Sequence, residues 1–258
     1  MKLIRSLTLI GGFFIVALAA GFVFQVPLVT NLWPWPDGRY SYLFIGSILV
    51  AAGAAMLWTA STGETGALPA GSLNLFVIGL TTMIYFFQLV IQQGRANLIP
   101  FGIAALLMTI ASGVSFLWSH RLPFVDHRPT PRLVRISFGI FVASLVLAGG
   151  ALLWKAPIFP WALNPDSSVI FGCIFIGDAF YFLYGLLRPH WQNAFGQLLS
   201  FLAYDLVLIV PFLALFPTVE AERLVNLIVY TAVLLYSGVL AVYFLFIHPQ
   251  TRSGSPAR

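Results

Sequence analysis

The chain has 258 residues, of which 60% are hydrophobic and only 8% are charged. Because soluble domains carry about 25% charged residues, this composition excludes a soluble globular protein and indicates an integral membrane protein. The net charge of +5 does not indicate nucleic-acid binding, because the basic residues lie in short links between apolar segments, where they orient membrane proteins.

Eight apolar segments follow one another along the chain. A helix needs about 20 apolar residues to cross roughly 30 Å of hydrocarbon, and each segment is long enough. The period-two alternation of membrane β-strands is absent, so the predicted fold class is an all-α integral membrane protein with eight transmembrane helices. The predicted helices are 7–28, 40–60, 70–91, 97–118, 134–154, 168–187, 194–216 and 224–247.

The first segment also has features of a signal peptide. Lys2 and Arg5 precede it, and Ala17-Leu18-Ala19 resembles a small-residue cleavage site. The apolar run continues through Val29, however, and is long enough to span the membrane. We therefore expect this segment to be retained as the first helix.

Lysine and arginine are distributed unevenly between the two sides of this bundle. Nine of the 13 lie at the termini or in the links after the second, fourth and sixth helices. The other four lie in the links after the first, third, fifth and seventh helices. The positive-inside rule therefore predicts that both termini are cytoplasmic, and the expected location is the bacterial inner (plasma) membrane.

Residues 121–132 are predicted to form a basic, proline-rich cytoplasmic link, and residues 249–258 a disordered tail. The arginines of the link can anchor the topology at anionic headgroups or provide a docking site for a cytoplasmic partner. Its prolines resist helix formation and hold it extended. These residues are Arg121, Arg128, Arg132 and the adjoining Arg135, with Pro123, Pro129 and Pro131.

The two halves of the chain resemble each other when one is shifted by 126 residues. The shift superposes Pro34-Trp35 on Pro160-Trp161, and with a one-residue slip Ser112-Gly113-Val114 matches Ser237-Gly238-Val239. We interpret 1–120 and 133–248 as two four-helix repeats. An even number of helices in each half makes the repeats parallel, with a pseudo-twofold axis along the membrane normal.

Two aspartates lie at the centres of apolar segments, Asp178 in the sixth and Asp205 in the seventh. A carboxylate at that depth costs about 2.5–3.5 kcal/mol on insertion scales and usually faces the bundle interior or a water-filled cavity. The 126-residue shift aligns them with Ala52 and Gly79, so the first half folds without them. This asymmetry predicts a proton-binding or ligand-binding site in the second half.

Tyr181 and Tyr204 are predicted to belong to the same site. Tyr181 is three residues after Asp178 and shares its helical face, and Tyr204 adjoins Asp205. Either hydroxyl can donate a hydrogen bond to a carboxylate. The alternative is that both aspartates only join neighbouring helices by hydrogen bonds.

Tryptophan and proline recur after the first and fifth helices, at Trp33, Pro34, Trp35, Pro160 and Trp161. Tryptophan favours the headgroup level of a membrane, so these interfacial segments are expected to anchor the bundle. The alternative is that they cap an outward-facing cavity between the halves. A cytoplasmic belt is predicted at Trp58, Trp118 and Trp191.

No metal site or cofactor is predicted. The chain has a single cysteine, Cys173, inside an apolar segment, and it lacks the common phosphate-binding and metalloprotease motifs. Haem between His120 and His248, near the inner face, is conceivable, although capping of helix ends is the simpler role for these residues.

Two functional classes fit these features. The first is a proton-coupled carrier of a small solute, with a midplane acidic site on Asp178 and Asp205. The second is a non-transporting scaffold or accessory subunit that binds another membrane protein, lipid or pigment. An intramembrane enzyme is a third, weaker reading, because carboxylates occur without a nucleophile or metal set. The expected partners are the lipid bilayer and a membrane protein or a second copy of this chain.

Overall fold

The computed structural model describes residues 2–252, and over this range it contains eight helices that are long and apolar enough to cross a membrane. The predicted number of helices is confirmed, which supports a multi-pass membrane protein. The helices are α1 (Lys2–Val23), α2 (Arg39–Thr62), α3 (Leu68–Gln93), α4 (Ile99–Ser119), α5 (Arg132–Leu153), α6 (Pro165–Leu187), α7 (Trp191–Leu215) and α8 (Leu224–Val242). Helix α8 continues as one π-helical turn, Tyr243–Ile247.

Glycine and proline set most of the helix ends. Gly63 and Gly94 follow α2 and α3 with φ of 79° and 67°, a left-handed conformation that glycine adopts without steric cost. The first helix is shorter at its end than predicted. The chain turns at Gln25, and Pro27 then begins a separate one-turn helix, Pro27–Thr30, because proline cannot continue the hydrogen bonding of α1.

Consecutive helices pair as hairpins: α1 with α2, α3 with α4, α5 with α6, and α7 with α8. Two further pairings, α2 with α7 and α3 with α6, join the hairpins into two groups of four. We call α1, α2, α7 and α8 group A, and α3, α4, α5 and α6 group B. The groups meet through large aromatic side chains such as Phe44, whose ring lies 4.8 Å from that of Phe171.

The short connection between α6 and α7 had suggested that these helices pack side by side, and this expectation is wrong over most of their length. Helix α6 packs closely against α5 and α3 instead. Gly172 faces the carbonyl of Gly149 in α5, and Gly177 faces Asn74 in α3. Because glycine has no side chain, the backbones approach most closely at these two positions.

The links lie at two ends of the bundle. The tryptophan end carries the links 24–38, 94–98, 154–164 and 216–223, and the opposite end, which we call the link end, carries 63–67, 120–131 and 188–190. Residues 249–252 of the predicted tail form a turn at the link end, held by Thr251 Oγ1, which donates to the Phe244 carbonyl. The rest of that tail lies outside the described residues.

Candidate functional site

Asp178 lies in the middle of α6, at its contact with α3. The side-chain amide of Asn74 donates to Asp178 Oδ1 at 2.8 Å. Asp178 is partly accessible, although α6 is the most buried of the eight spans. The hydrogen bond therefore joins helices from the two predicted repeats.

Asp205 has a different environment, within the α7–α8 hairpin. It is 5% exposed, and Ser237 Oγ donates to its Oδ2 at 2.8 Å. The other oxygen, Oδ1, is buried without a partner. Gly238 supplies the space for this carboxylate, since a Cβ there would lie 3.4 Å from Oδ2.

The predicted tyrosines lie near the aspartates but form hydrogen bonds with other residues. Tyr204 and Tyr230 join their hydroxyls at 2.7 Å, and Tyr181 contacts Ser200 at 3.4 Å. All three tyrosines lie close enough to Asp178 for an electrostatic interaction with its carboxylate. The predicted residues are therefore neighbours, Tyr230 joins them, and the two aspartates bond to different helices.

A line of polar contacts continues from Asp178 along α3 and α6 to the tryptophan end. The Cys173 thiol lies beside Thr81. Nearer the end, Tyr85 donates to Asp166 Oδ1 at 2.7 Å. We call this line, from Asn74–Asp178 through Thr81–Cys173 to Tyr85–Asp166, the α3–α6 seam.

Asp166 completes the seam as an ion pair. Arg95, from the link after α3, lies 2.6 Å from Asp166 Oδ2, and the ammonium of Lys155 lies 4.0 Å from Oδ1. Sequence reasoning missed both Asn74 and Asp166. The sequence Asn164-Pro165-Asp166 marks a capped helix start, but nothing in it identifies the partners from α3.

A groove of about 450 Å³ lies beside the seam, between α3 and the end of α5, with α6 as its floor. It extends from the tryptophan end to Thr81 and Cys173. Cys173 is five residues from Asp178, which is about 7.5 Å along a helix. The polar residues that line the groove are Thr81, Tyr85, Gln88, Gln92, Gln93 and Lys155, and the others are Ile84, Leu89, Leu153, Val169 and Cys173.

The tryptophan segments fold into the bundle. Trp35 and Trp161 are 6% and 8% exposed, so protein covers most of each indole, and the expected contact with headgroups would involve only a small part of either side chain. The indole of Trp161 donates to Ser41 Oγ at 3.1 Å, while Trp35 stacks on Phe86 with ring centres 5.8 Å apart. Both contacts cross between elements that sequence alone does not place together.

The other interfacial residues complete the same layer. The indole of Trp33 donates to Asp37 Oδ2 at 2.8 Å, and its ring lies 5.7 Å from Phe171 of α6. Pro160 is buried between Phe159 and Trp161, whereas Pro34 is half-buried. Aromatic side chains therefore fill the space between groups A and B at the tryptophan end.

The link end is covered by the basic link. Thr130 and Trp191 form backbone hydrogen bonds to Pro189 and Arg128, which attach the link to the start of α7. Trp191 is fully buried, which contradicts its predicted place in a surface belt. Arg128 lies 2.6 Å from Asp126, whereas Arg121, Arg132 and Arg135 are exposed.

Two buried carboxyl groups lie under this link. Burial raises the pKa of Glu64, whose Oε2 accepts only a long hydrogen bond, 3.3 Å, from the Val125 amide. Burial also acts to raise the pKa of Asp126, but the hydrogen bonds and charge of Arg128 outweigh it and hold that pKa below its ordinary value.

The histidines considered for haem lie at helix ends. His120 stacks on Phe116, and His248 Nδ1 lies 3.1 Å from Thr251 Oγ1. Over residues 2–252, no group of three or more histidine, cysteine, aspartate or glutamate side chains is placed to hold a metal ion. Comparison with protein families, with curated proteins and with solved structures finds no match for this chain.

Proposed function

We propose that this protein is a proton-coupled carrier of a small solute, in which Asp178 is the proton-binding carboxylate. The observation that carries the proposal is the α3–α6 seam. In this seam, the carboxylate in the middle of α6 is followed by two further polar contacts towards the tryptophan end. Acidic residues within apolar spans are typical of proton pathways in transporters, which supports the proposal. Tyr181 and Tyr204 would line the site.

In the proposed carrier, group A and group B are the two halves that move against each other. Parallel repeats related by an axis along the membrane normal are one known architecture of carriers, and equivalent contacts support such a repeat here. Gly46 lies against Val23 in the α1–α2 hairpin, and Gly172 lies against Gly149 in the α5–α6 hairpin. Both residues of the second pair are 126 positions after those of the first.

Both ends of the bundle are covered, as expected for a carrier that opens alternately to the two sides. The buried tryptophan segments close the space between groups A and B at one end, and the basic link closes it at the other. Following the charge distribution, we place the link end in the cytoplasm. Opening at either end would require these segments to separate.

Asp205 has a structural role in this proposal. Its carboxylate is sealed between α7 and α8, where a hydrogen bond to Ser237 joins the hairpin. The same observation favours the competing function, a non-transporting scaffold, if Asp178 also serves only to join helices. The experiment must therefore test the roles of Asp178 and Asp205 separately.

The test uses the full chain in liposomes that contain a pH-sensitive dye. A pH gradient is imposed, and amino acids, sugars, carboxylates and organic cations are added in turn. We expect at least one solute to accelerate proton movement through the wild-type protein. Asp178→Asn should abolish this movement, because the amide keeps the size and the acceptor oxygen for Asn74 but cannot exchange a proton.

Asp205→Asn is the matched control, since it makes the same chemical change in the next helix along the chain and should retain solute-dependent proton movement. Thermal unfolding of both variants in detergent verifies that they are folded. If none of the added solutes accelerates proton movement through the wild-type protein, the carrier proposal fails and the scaffold function is favoured. If Asp178→Asn moves protons at the wild-type rate, Asp178 is not the proton-binding carboxylate and that part of the proposal fails.

A further inference from the structure

Lys155, two residues after the end of α5, has a backbone conformation that is unusual for lysine. Its φ is 59°, and its amide and that of Ala156 turn back to the carbonyls of Leu152 and Ala151. Glycine is the usual residue at this position of a helix end, because the left-handed conformation crowds any Cβ. The presence of lysine suggests that its side chain has a use.

The charge of Lys155 is largely free. The side chain is 49% exposed, and its ion contact with Asp166 is long, at 4.0 Å. Asp166 already has a closer partner in Arg95 at 2.6 Å. The ammonium therefore remains available to a second anion at the mouth of the groove.

The groove lies within group B and opens away from group A, towards the surroundings of the bundle. Ile84 and Gln88 on its α3 side are exposed, and so is Trp154, at 86%, beside its mouth. An exposed tryptophan at a helix end is typical of the headgroup level of a membrane. The mouth of the groove would then lie at the level of the headgroups. The apolar residues Leu153 and Val169 would lie nearer the acyl chains.

We propose that this groove binds one anionic phospholipid of the surrounding bilayer. Its phosphate would contact Lys155 and the amide groups of Gln92 and Gln93, which can donate hydrogen bonds to anionic oxygens. The upper part of an acyl chain would lie on Leu153 and Ile84. The argument for this site does not rest on carrier activity, although the lipid would cover the open side of the α3–α6 seam.

The fold itself does not require polar residues at the positions that line this groove. At the positions 126 residues away, Val29 corresponds to Lys155, Ala214 to Gln88, and Val219 to Gln93. Gln92, by contrast, corresponds to Thr218, which is also polar, so the equivalent surface of group A is mostly apolar. The basic residue of the groove has no basic counterpart in the other group, as expected for an anion-binding site.

Native mass spectrometry of the full chain in mild detergent tests the proposal. The dissociation constant of the first bound lipid is measured for phosphatidylglycerol and for phosphatidylcholine with the same acyl chains. We expect wild-type protein to prefer phosphatidylglycerol. Lys155→Gly and Lys155→Gln should reduce this preference about fivefold, the factor implied by the usual contribution of one basic residue near an anionic surface.

Gln25→Gly is the matched control. Gln25 ends α1 with a similar φ of 53° but does not line the groove, so its replacement relieves the same strain and should leave the preference unchanged. Lys155→Gly should unfold in lipid-free detergent at the wild-type temperature or above it. The proposal is overturned if both Lys155 variants keep the preference, or if free glycerol phosphate displaces the lipid at equal concentration.

Discussion

Asp178 and Asp205 differ in the helices that supply their partners. Asn74 bonds Asp178 from α3, which belongs to the other predicted repeat, whereas Ser237 bonds Asp205 from within the same hairpin. A bond within a hairpin does not change when two halves move against each other. The Asn74–Asp178 bond also lies inside one group, because α3 and α6 both belong to group B, so it need not break when groups A and B separate. Asp178 is proposed as the proton site because it is partly accessible, whereas Asp205 is 5% exposed.

The α7–α8 hairpin offers a test of the structural role at the level of one residue. Ser237→Ala removes the partner of Asp205 and leaves the carboxyl group buried without a hydrogen bond. We expect the free energy of unfolding to fall by about 1–3 kcal/mol, the cost of an unsatisfied buried polar group. Equilibrium unfolding in detergent measures this change.

Ser47→Ala is the control for that substitution. Ser47 is also fully buried, but its hydroxyl donates only to the carbonyl of Phe44 in its own helix. Loss of this hydroxyl should change the free energy of unfolding little. Equal effects of the two substitutions would show that Ser237 does not stabilise Asp205.

Among the helices, α6 has the most demanding position. It contacts α5 on one face and α3 on another, and 61% of its apolar window is buried. Two glycines make this possible, because they allow both neighbours to approach within backbone contact. The α3–α6 seam depends on the same close approach, since short side chains such as Asn74 and Asp178 can meet only where the helices are near each other.

Gly172→Ala should therefore weaken the α5–α6 pair. Its Cβ would lie 2.9 Å from the Gly149 carbonyl and 3.0 Å from the Leu153 amide. Both are backbone atoms that cannot move aside, so we expect a loss of about 1–3 kcal/mol, as for other overpacked sites. Thermal unfolding in detergent provides the measurement.

Gly150→Ala is the matched change one helix away. A Cβ at Gly150 meets nothing within 4 Å, and alanine favours the helix by about 1 kcal/mol over glycine. This variant should be at least as stable as the wild-type protein. A Gly172→Ala protein of unchanged stability would mean that α5 and α6 do not need this contact.

At the level of the whole molecule, apolar runs predicted all eight spans, because crossing a bilayer requires about 20 apolar residues whatever the neighbours are. The direction in which a side chain faces depends on the tertiary arrangement. Trp35, Trp161 and Trp191 are suited to a membrane interface by residue type, yet all three are buried. The aspartates were identified from their depth, but Asn74 resembles any polar residue in a span until α3 is placed beside α6.

The packing of the basic link also depends on the complete fold, because the link joins parts of the chain that are far apart in sequence. It contacts Glu64 in the α2–α3 turn and Gln192 at the start of α7, and Arg128 reaches the carbonyl of Gln250 after α8. The link therefore connects groups A and B at the link end. Separation of the groups at that end would require the link to detach from Gln192 and Gln250.

Attachment of the link should depend on pH through Glu64. Burial raises the pKa of Glu64 above its ordinary value of 4.5, so the attached state favours the protonated form. The stabilisation that protonated Glu64 gives to the attached link is complete below pH 4.5 and is lost as the pH rises through the raised pKa of Glu64. Glu64→Gln, which cannot ionise, should slow amide exchange in residues 122–130 at neutral pH. Hydrogen–deuterium exchange of both proteins at each pH measures the difference, which should vanish towards pH 4.

Asp126→Asn should have the opposite effect in the same experiment. The pKa of Asp126 is lowered despite its burial, chiefly by Arg128, so its contribution to stability is present above the ordinary pKa of 3.8 and is lost as the pH falls. At neutral pH this variant should exchange faster than the wild-type protein over residues 122–130. If Glu64→Gln does not slow exchange at neutral pH, the buried glutamate does not control how the link is held, and opening at this end must depend on other contacts.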